Sequence, residues 1–248
     1  MSTLQAPIDQ RPAVPEEQRF LLRGVDWSTY RALSDLLTGR HLHLAYDRGN
    51  LEFMTLSRSH GNYSRLLGRF VFVLAEEFNL TISSCGDMTC DRQDLDRAVE
   101  LDECFYLQNE RLIRDKEKID LAVDPPPDLG VEVEITRSLV RRLSICEALG
   151  FPEIWRFNGK VLRDYHRSSE GKYEESEYSL HFPFLKVQEM VAFLRKRTEM
   201  DETSLVRLFR DWVKDQITQA GHPSSATAKD RTKKPTARKT GNSKRKTK

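Results

Sequence analysis

Residues 130–135 read Gly-Val-Glu-Val-Glu-Ile, an apolar run interrupted twice by carboxylates. Side chains alternate across a strand, so Glu132 and Glu134 share one face, about 7 Å apart, while the valines occupy the other. A carboxylate inside an apolar strand is costly unless it is paired, hydrogen-bonded or bound to a cation. Any fold open to this chain must therefore cover one face of the strand with apolar groups and supply cations or donors to the other.

Charge divides the 248 residues into two unlike pieces. Residues 221–248 hold ten Lys/Arg and one acid, a local +9, against a total of 40 basic and 38 acidic residues, which leaves −7 for residues 1–220. The basic stretch has no Val, Ile, Leu, Phe, Tyr or Trp. It has nothing to bury that would offset the entropy of ordering it, so it is expected to be a disordered arm. Lys233, Lys234, Arg238, Lys239, Lys244, Arg245 and Lys246 could neutralise phosphates of nucleic acid, and the competing reading is a solubilising tail.

The expected organisation is a flexible N-terminal segment over 1–19, one domain over 20–218 and the basic tail over 219–248. The longest apolar run, Phe70 to Ala75, is far short of the roughly 20 residues of a membrane span. The start of the chain lacks a basic flank followed by an apolar stretch, so a cytoplasmic protein is expected. Cys85, Cys90, Cys104 and Cys146 show no zinc spacing and read as reduced thiols.

Inside the domain, Asp26 or Ser28 can cap a short helix that Gly39 stops, and residues 41–46 and 50–56 flank an Asp47-Arg48-Gly49 hairpin turn. Leu67, Phe70, Val71, Leu74 and Phe78 recur at helical spacing and predict a helix over 59–78. Short extended runs follow to Ile135, with RDKEKID as a solvated hairpin tip, then a helix over 138–149, three strands, and helices over about 186–198 and 202–217. Helix, sheet, helix, sheet, helices make a mixed α/β or α+β domain.

Asp128 lies about 13 Å from Glu132 along extended chain, too far for one cation, and reads as a turn former after the prolines. Asp102 is the better partner, on a run that could fold alongside the Glu132 strand. Mg²⁺ is typically held by one or two carboxylates and completed by water and phosphate oxygens. Arg141 and Arg142 follow and could bind a phosphate. Neither can act as a base, since arginine keeps its proton.

Four stretches now align in order: Gly49-Asn50-Leu51-Glu52-Phe53-Met54 with His60; Glu100-Leu101-Asp102-Glu103-Cys104-Phe105-Tyr106; Asp124 to Leu129 with Glu132-Val133-Glu134-Ile135; and Gly150 to Trp155. Over roughly residues 20 to 200 the chain resembles the Uma-two family of restriction-endonuclease-like proteins, assigned to the PD-(D/E)XK nuclease superfamily. The resemblance implies a central mixed sheet flanked by helices, Mg²⁺ or Mn²⁺ as cofactor, DNA as substrate, and Asp102 and Glu132 as the metal-binding acids. Glu52 and Glu100 are further candidate acids. The superfamily usually places a lysine where this chain has Glu134, and the family's alternative basic position on the next helix corresponds to Arg142. Leu101 stands where Pro is common, and Cys146 where Tyr is usual.

The implied activity is a metal-dependent endonuclease in which Asp102, Glu132, Glu134 and Arg142 carry the chemistry and Arg141 contacts nucleic acid. Two copies of the chain could pair for a double-strand cut. The alternative is a non-catalytic nucleic-acid-binding or assembly protein on a nuclease fold, motivated by the missing lysine. Bland readings stand beside these: Glu52 as an exposed strand residue, His60 as a cap or surface group, Trp155 as core packing.

Overall fold

In the computed structural model, which describes residues 17–219, strand β1 (Arg19–Arg23) leads into helix α1 (Trp27–Leu37). Asp26 caps α1 by accepting the Thr29 amide, one of the donors a helix start leaves without a partner. Strands β2 (Leu42–Asp47) and β3 (Asn50–Thr55) form the expected hairpin, with Arg48 and Gly49 both at positive φ, 46° and 84°. That geometry gives a two-residue turn whose twist matches the strands it joins. Helix α2 (Arg58–Glu77) follows, capped by Ser57.

Next come β4 (Ser83–Gly86), β5 (Thr89–Arg92), β6 (Arg97–Glu100), β7 (Glu103–Tyr106), α3 (Glu110–Ile113) and β8 (Leu129–Val133). Helix α4 (Arg142–Leu149), β9 (Glu153–Phe157), β10 (Leu162–Arg167), β11 (Tyr173–Ser176), α5 (Val191–Arg195) and α6 (Glu202–Gln219) complete the order. The fold is mixed α+β with two sheets. One is antiparallel, in the order β1-β3-β2-β6-β5, and the other runs β11-β10-β9-β8-β7-β4 with β8 and β9 parallel. After contributing β4 to the second sheet and returning to the first for β5 and β6, the chain passes to the second again between β6 and β7, at Leu101 and Asp102.

Each face of the six-stranded sheet has its own cover. Leu129, Val131, Val133, Trp155 and Phe157 pack under α2, α5 and α6, where the Phe70 and Phe209 rings stack at 4.1 Å. Leu101, Cys104, Ile154 and Phe151 pack with Ile145 and Cys146 of α4 on the opposite face. Gly130 sits in that second layer, where a Cβ would come within 2.7 Å of both Ile154 and Leu101 side chains, so its lack of a side chain lets them meet over β8. All four cysteines are free thiols. Among the described residues no helix is long and apolar enough to cross a membrane.

Three local expectations change. Arg19 opens β1 and Glu17 is buried, so the folded body begins before residue 20. The segment expected as a charged hairpin forms α3 and turns, where Asp124 accepts from Lys116 and the Asp120 amide. The helix expected from Ser138 starts at Arg142, because Ser138 and the Leu139 amide are engaged instead by Glu52. The basic tail lies outside the described residues.

Truncating Phe209 to Ala should cost about 3–5 kcal/mol, because the ring is fully buried between helices. Phe72→Ala, at a side chain 41% exposed, should cost under about 1 kcal/mol. Chemical denaturation of the two variants separates these outcomes.

Candidate functional site

The ladder between β7 and β8 pairs Glu103 with Val131 and Cys104 with Gly130, so one further step brings Asp102 beside Glu132. Asp102 Oδ2 accepts the Val133 amide at 2.6 Å. Its Oδ1 lies 2.6 Å from His60 Nε2 and 3.4 Å from His43 Nδ1. Burial would push the Asp102 carboxyl up, yet the histidines and the Val133 amide hold it below its ordinary range. Burial pulls the His60 imidazole the other way, and its bonds to Asp102 and Glu17 outweigh that and raise it to about 9. The His60 ring therefore lies between two carboxylates, with Nδ1 3.3 Å from Glu17 Oε2.

Glu132 points to the α4 face, because Leu129, Val131 and Val133 take the other one. Arg142, first residue of α4, donates from Nε to Glu132 Oε1 and from Nη2 to the Glu100 carbonyl. Its remaining Nη1 stands 4.0 Å from Glu52 Oε1 without a hydrogen bond, and Glu132 Oε2 is likewise buried and unpartnered. Glu134 pairs with Arg156, which faces Glu132 across the parallel ladder.

Glu52 is fully buried, contrary to the exposed-strand reading. It accepts from Arg19 Nη1 at 2.7 Å, from the Ser138 hydroxyl at 2.9 Å and from the Leu139 amide. Glu100 accepts the Leu44 amide at 2.8 Å and the Thr89 hydroxyl at 3.2 Å, and burial raises its carboxyl. His60 is buried rather than on the surface. Asp128 shapes a different turn from the one expected after the prolines: it accepts the Leu107 and Asn109 amides at 2.7 and 2.9 Å and so holds the segment that follows β7. Trp155 is core, with its indole N–H on Glu153.

Asp102, Glu132, Glu52, Glu100 and Arg142 thus belong to one network at the junction of the two sheets. Arg141 is exposed on a cleft of about 640 Å³, which Arg137, Arg156, Lys172, Glu134 and Glu147 also line. The network contains three residues that sequence reasoning did not single out, Glu17, Arg19 and His43. Only His43 left a trace, in the alternation of HLHLAY; nothing local marks Glu17 or Arg19 as buried.

A second cluster lies at the far end of β9 and β10. Glu153 accepts from Trp155 Nε1 at 2.7 Å, the Ser179 hydroxyl at 2.7 Å and the Leu180 and His181 amides at 3.1 and 3.2 Å, which ties down the loop after β11. Asp164, fully buried beside it, bonds His166 Nε2 at 2.9 Å. Burial first, and then the Glu153 carboxylate, hold the Asp164 carboxyl far above its ordinary range.

With this geometry in hand, comparison with known proteins gives a family. Residues 27–199 match the Uma-two family, described as "Putative restriction endonuclease", and the chain belongs to it. The crystal structure of a "putative nuclease" from Anabaena variabilis is similar over 67% of this chain and 90% of that chain, with a TM-score of 0.39 and 13% identity. No curated protein matches.

Among the described residues Arg19 is the one side-chain cation that hydrogen-bonds Glu52, and it also bonds Glu17. Arg19→Met should cost about 3–5 kcal/mol, since it leaves two buried carboxylates short of a partner, and thermal unfolding will read it. Asp164 gives a pH signature. Its proton is retained in the folded state and lost in the unfolded one, so stability is full below the ordinary carboxylate range. It should then fall by up to about 1.4 kcal/mol per pH unit as pH rises toward the folded value. Asp164→Asn should flatten that decline in denaturant titrations across neutral and mildly alkaline pH.

Proposed function

We propose that this member of the Uma-two family is a metal-dependent endonuclease that hydrolyses DNA phosphodiester bonds, with Asp102 and Glu132 as its metal-binding acids. The observation that carries the reading is Glu132 Oε2, a buried carboxylate oxygen with no hydrogen bond, on the residue that the β7–β8 register sets opposite Asp102. A buried acceptor left open costs free energy unless something fills it, and Mg²⁺ or Mn²⁺ is the partner that two such carboxylates suit. The residues present fit that group. A divalent ion would supply the acidity that activates water and offset the phosphate charge.

The remaining roles follow from position. Arg142 Nη1 is a buried donor without an acceptor, able to receive a phosphate oxygen while its Nε holds Glu132 in place. Glu134, tethered by Arg156, can orient water beside the two acids. Glu52 and Glu100 support the site at a distance, Glu52 by fixing the segment before α4 and Glu100 by bonding β2 and β5. Arg141 and Arg137 sit on the open cleft, suited to the DNA backbone, and the basic residues Lys233 to Lys246 would add contacts that weaken steeply with salt. Pairing of two copies would suit a double-strand cut.

A second reading, a nucleic-acid-binding protein without turnover, is favoured by one observation. The position that usually carries lysine is Glu134, and it is neutralised by Arg156. Supercoiled plasmid with Mg²⁺ or Mn²⁺ separates the two. The nuclease reading expects nicked and linear product from the native chain and a rate about 100-fold lower or worse in Asp102→Asn and Glu132→Gln. Salt-sensitive DNA binding with no cut product from the native chain favours the second reading, and equal cutting by all three proteins removes the proposed acids.

A further inference from the structure

We infer that His43, His60 and Asp102 form a binding site for a divalent transition-metal ion that accepts imidazole nitrogen, distinct in its donor set from an all-carboxylate Mg²⁺ site. The three come from separate parts of the chain, the start of β2, the first turn of α2 and the crossing from β6 to β7, and converge on one spot. His43 Nδ1 or Nε2, a His60 ring nitrogen and an Asp102 oxygen all lie within 4.8 Å of one another, and all three side chains are buried.

Two features point to an ion. His43 Nδ1 is buried with no hydrogen-bond partner, 3.4 Å from Asp102 Oδ1, although a histidine nitrogen shut away from water ordinarily has one. The groups behind the donors are arranged as they are behind metal ligands. His60 gives its other nitrogen to Glu17 Oε2, and Asp102 has its other oxygen on the Val133 amide. Such partners fix which ring nitrogen is free and which way the ligand points.

The distances suit the chemistry. With ion-to-donor lengths of about 2.0–2.2 Å, donors around one ion stand roughly 3–3.5 Å apart. The His43–Asp102 separation of 3.4 Å already meets this, and the His60–Asp102 contact of 2.6 Å must open by about half an ångström or slightly more. Two imidazoles and one carboxylate select Mn²⁺, Co²⁺ or Zn²⁺ over Mg²⁺, which prefers oxygen, and leave further coordination positions free. His43 also lines a cleft of about 410 Å³ with His41, Asp87, Thr89 and Glu100, which gives an ion a way in. The inference goes beyond the nuclease reading: it concerns an ion held by imidazole nitrogen, and Asp102 is the one residue common to both. It rests on that reading only through this shared residue.

The test measures binding without DNA, so it can fail while the nuclease reading survives, and the reverse. The full chain, freed of metal with a chelator, is titrated with Co²⁺ and Zn²⁺, following the visible Co²⁺ spectrum, heat and thermal unfolding, with Mg²⁺ as comparison. One tightly held ion is expected, with an affinity for Zn²⁺ at least about 100-fold above that for Mg²⁺. His43→Asn should weaken it about 100-fold or more while Asp164→Asn leaves it unchanged. His43 is the informative position because its Nδ1 makes no hydrogen bond whose loss would unfold the chain, whereas His60 bonds two carboxylates. Native chain that takes up no ion, equal affinity in His43→Asn, or loss of the ion in Asp164→Asn would each overturn the inference.

Discussion

Neutralising charge inside the protein is the constraint on which the rest of this structure depends. Glu17, Glu52, Asp102 and Glu132 are all buried at the junction of the two sheets, and Arg19, His60 and Arg142 are buried with them. Removing a carboxylate from water is expensive, and the cost is tolerable only when cations and amides replace the lost hydration with good geometry. The network therefore dictates local structure around it. Ser138 and Leu139 stay out of α4 because Glu52 bonds them, and residues 17–19 are drawn into the fold because Arg19 bonds two acids.

The same network joins pieces that the apolar core holds only separately. One core layer lies under α2 and α6, another under α4, and a third gathers Tyr30, Leu44, Tyr46 and Leu51 around α1. The ionic residues bridge these layers: Asp102 links the inter-sheet crossing to α2 and β8, Arg142 links α4 to β8 and β6, and Arg19 links β1 to β3. Ion pairs of this kind add little net stability over apolar packing, but they penalise any arrangement that separates them.

The network is also incomplete, and its gaps fall on residues proposed to carry the chemistry. Five buried side-chain atoms among the described residues lack a hydrogen bond, and three of them, on His43, Glu132 and Arg142, belong to this one place. A purely structural network would be expected to close on itself. Here one acceptor, one donor and one imidazole nitrogen remain available in a family of restriction-endonuclease type, between a cleft lined by arginines and another lined by histidines and acids.

Much of the fold was legible in local patterns. The spacing of Leu67, Phe70, Val71 and Leu74 announced α2, Asp47-Arg48-Gly49 announced its hairpin, and the alternation around Glu132 announced a strand with one apolar face, because each is a short-range consequence of backbone geometry. Asp102, Glu132 and Arg142 were readable as candidates through the resemblance of four ordered segments, and the cost of a carboxylate in an apolar strand made Glu132 conspicuous even without it. Glu17 and Arg19 were not readable, since nothing local marks either for burial, and the alternation of HLHLAY left only a faint trace of His43. The chain by itself thus determined which residues carry charge that must be compensated and which stretches become helix or strand. Only the tertiary structure decided who compensates whom, because pairing Arg19 with Glu52, or His60 with Asp102, depends on distances that arise after two sheets and two helices have closed over the same point.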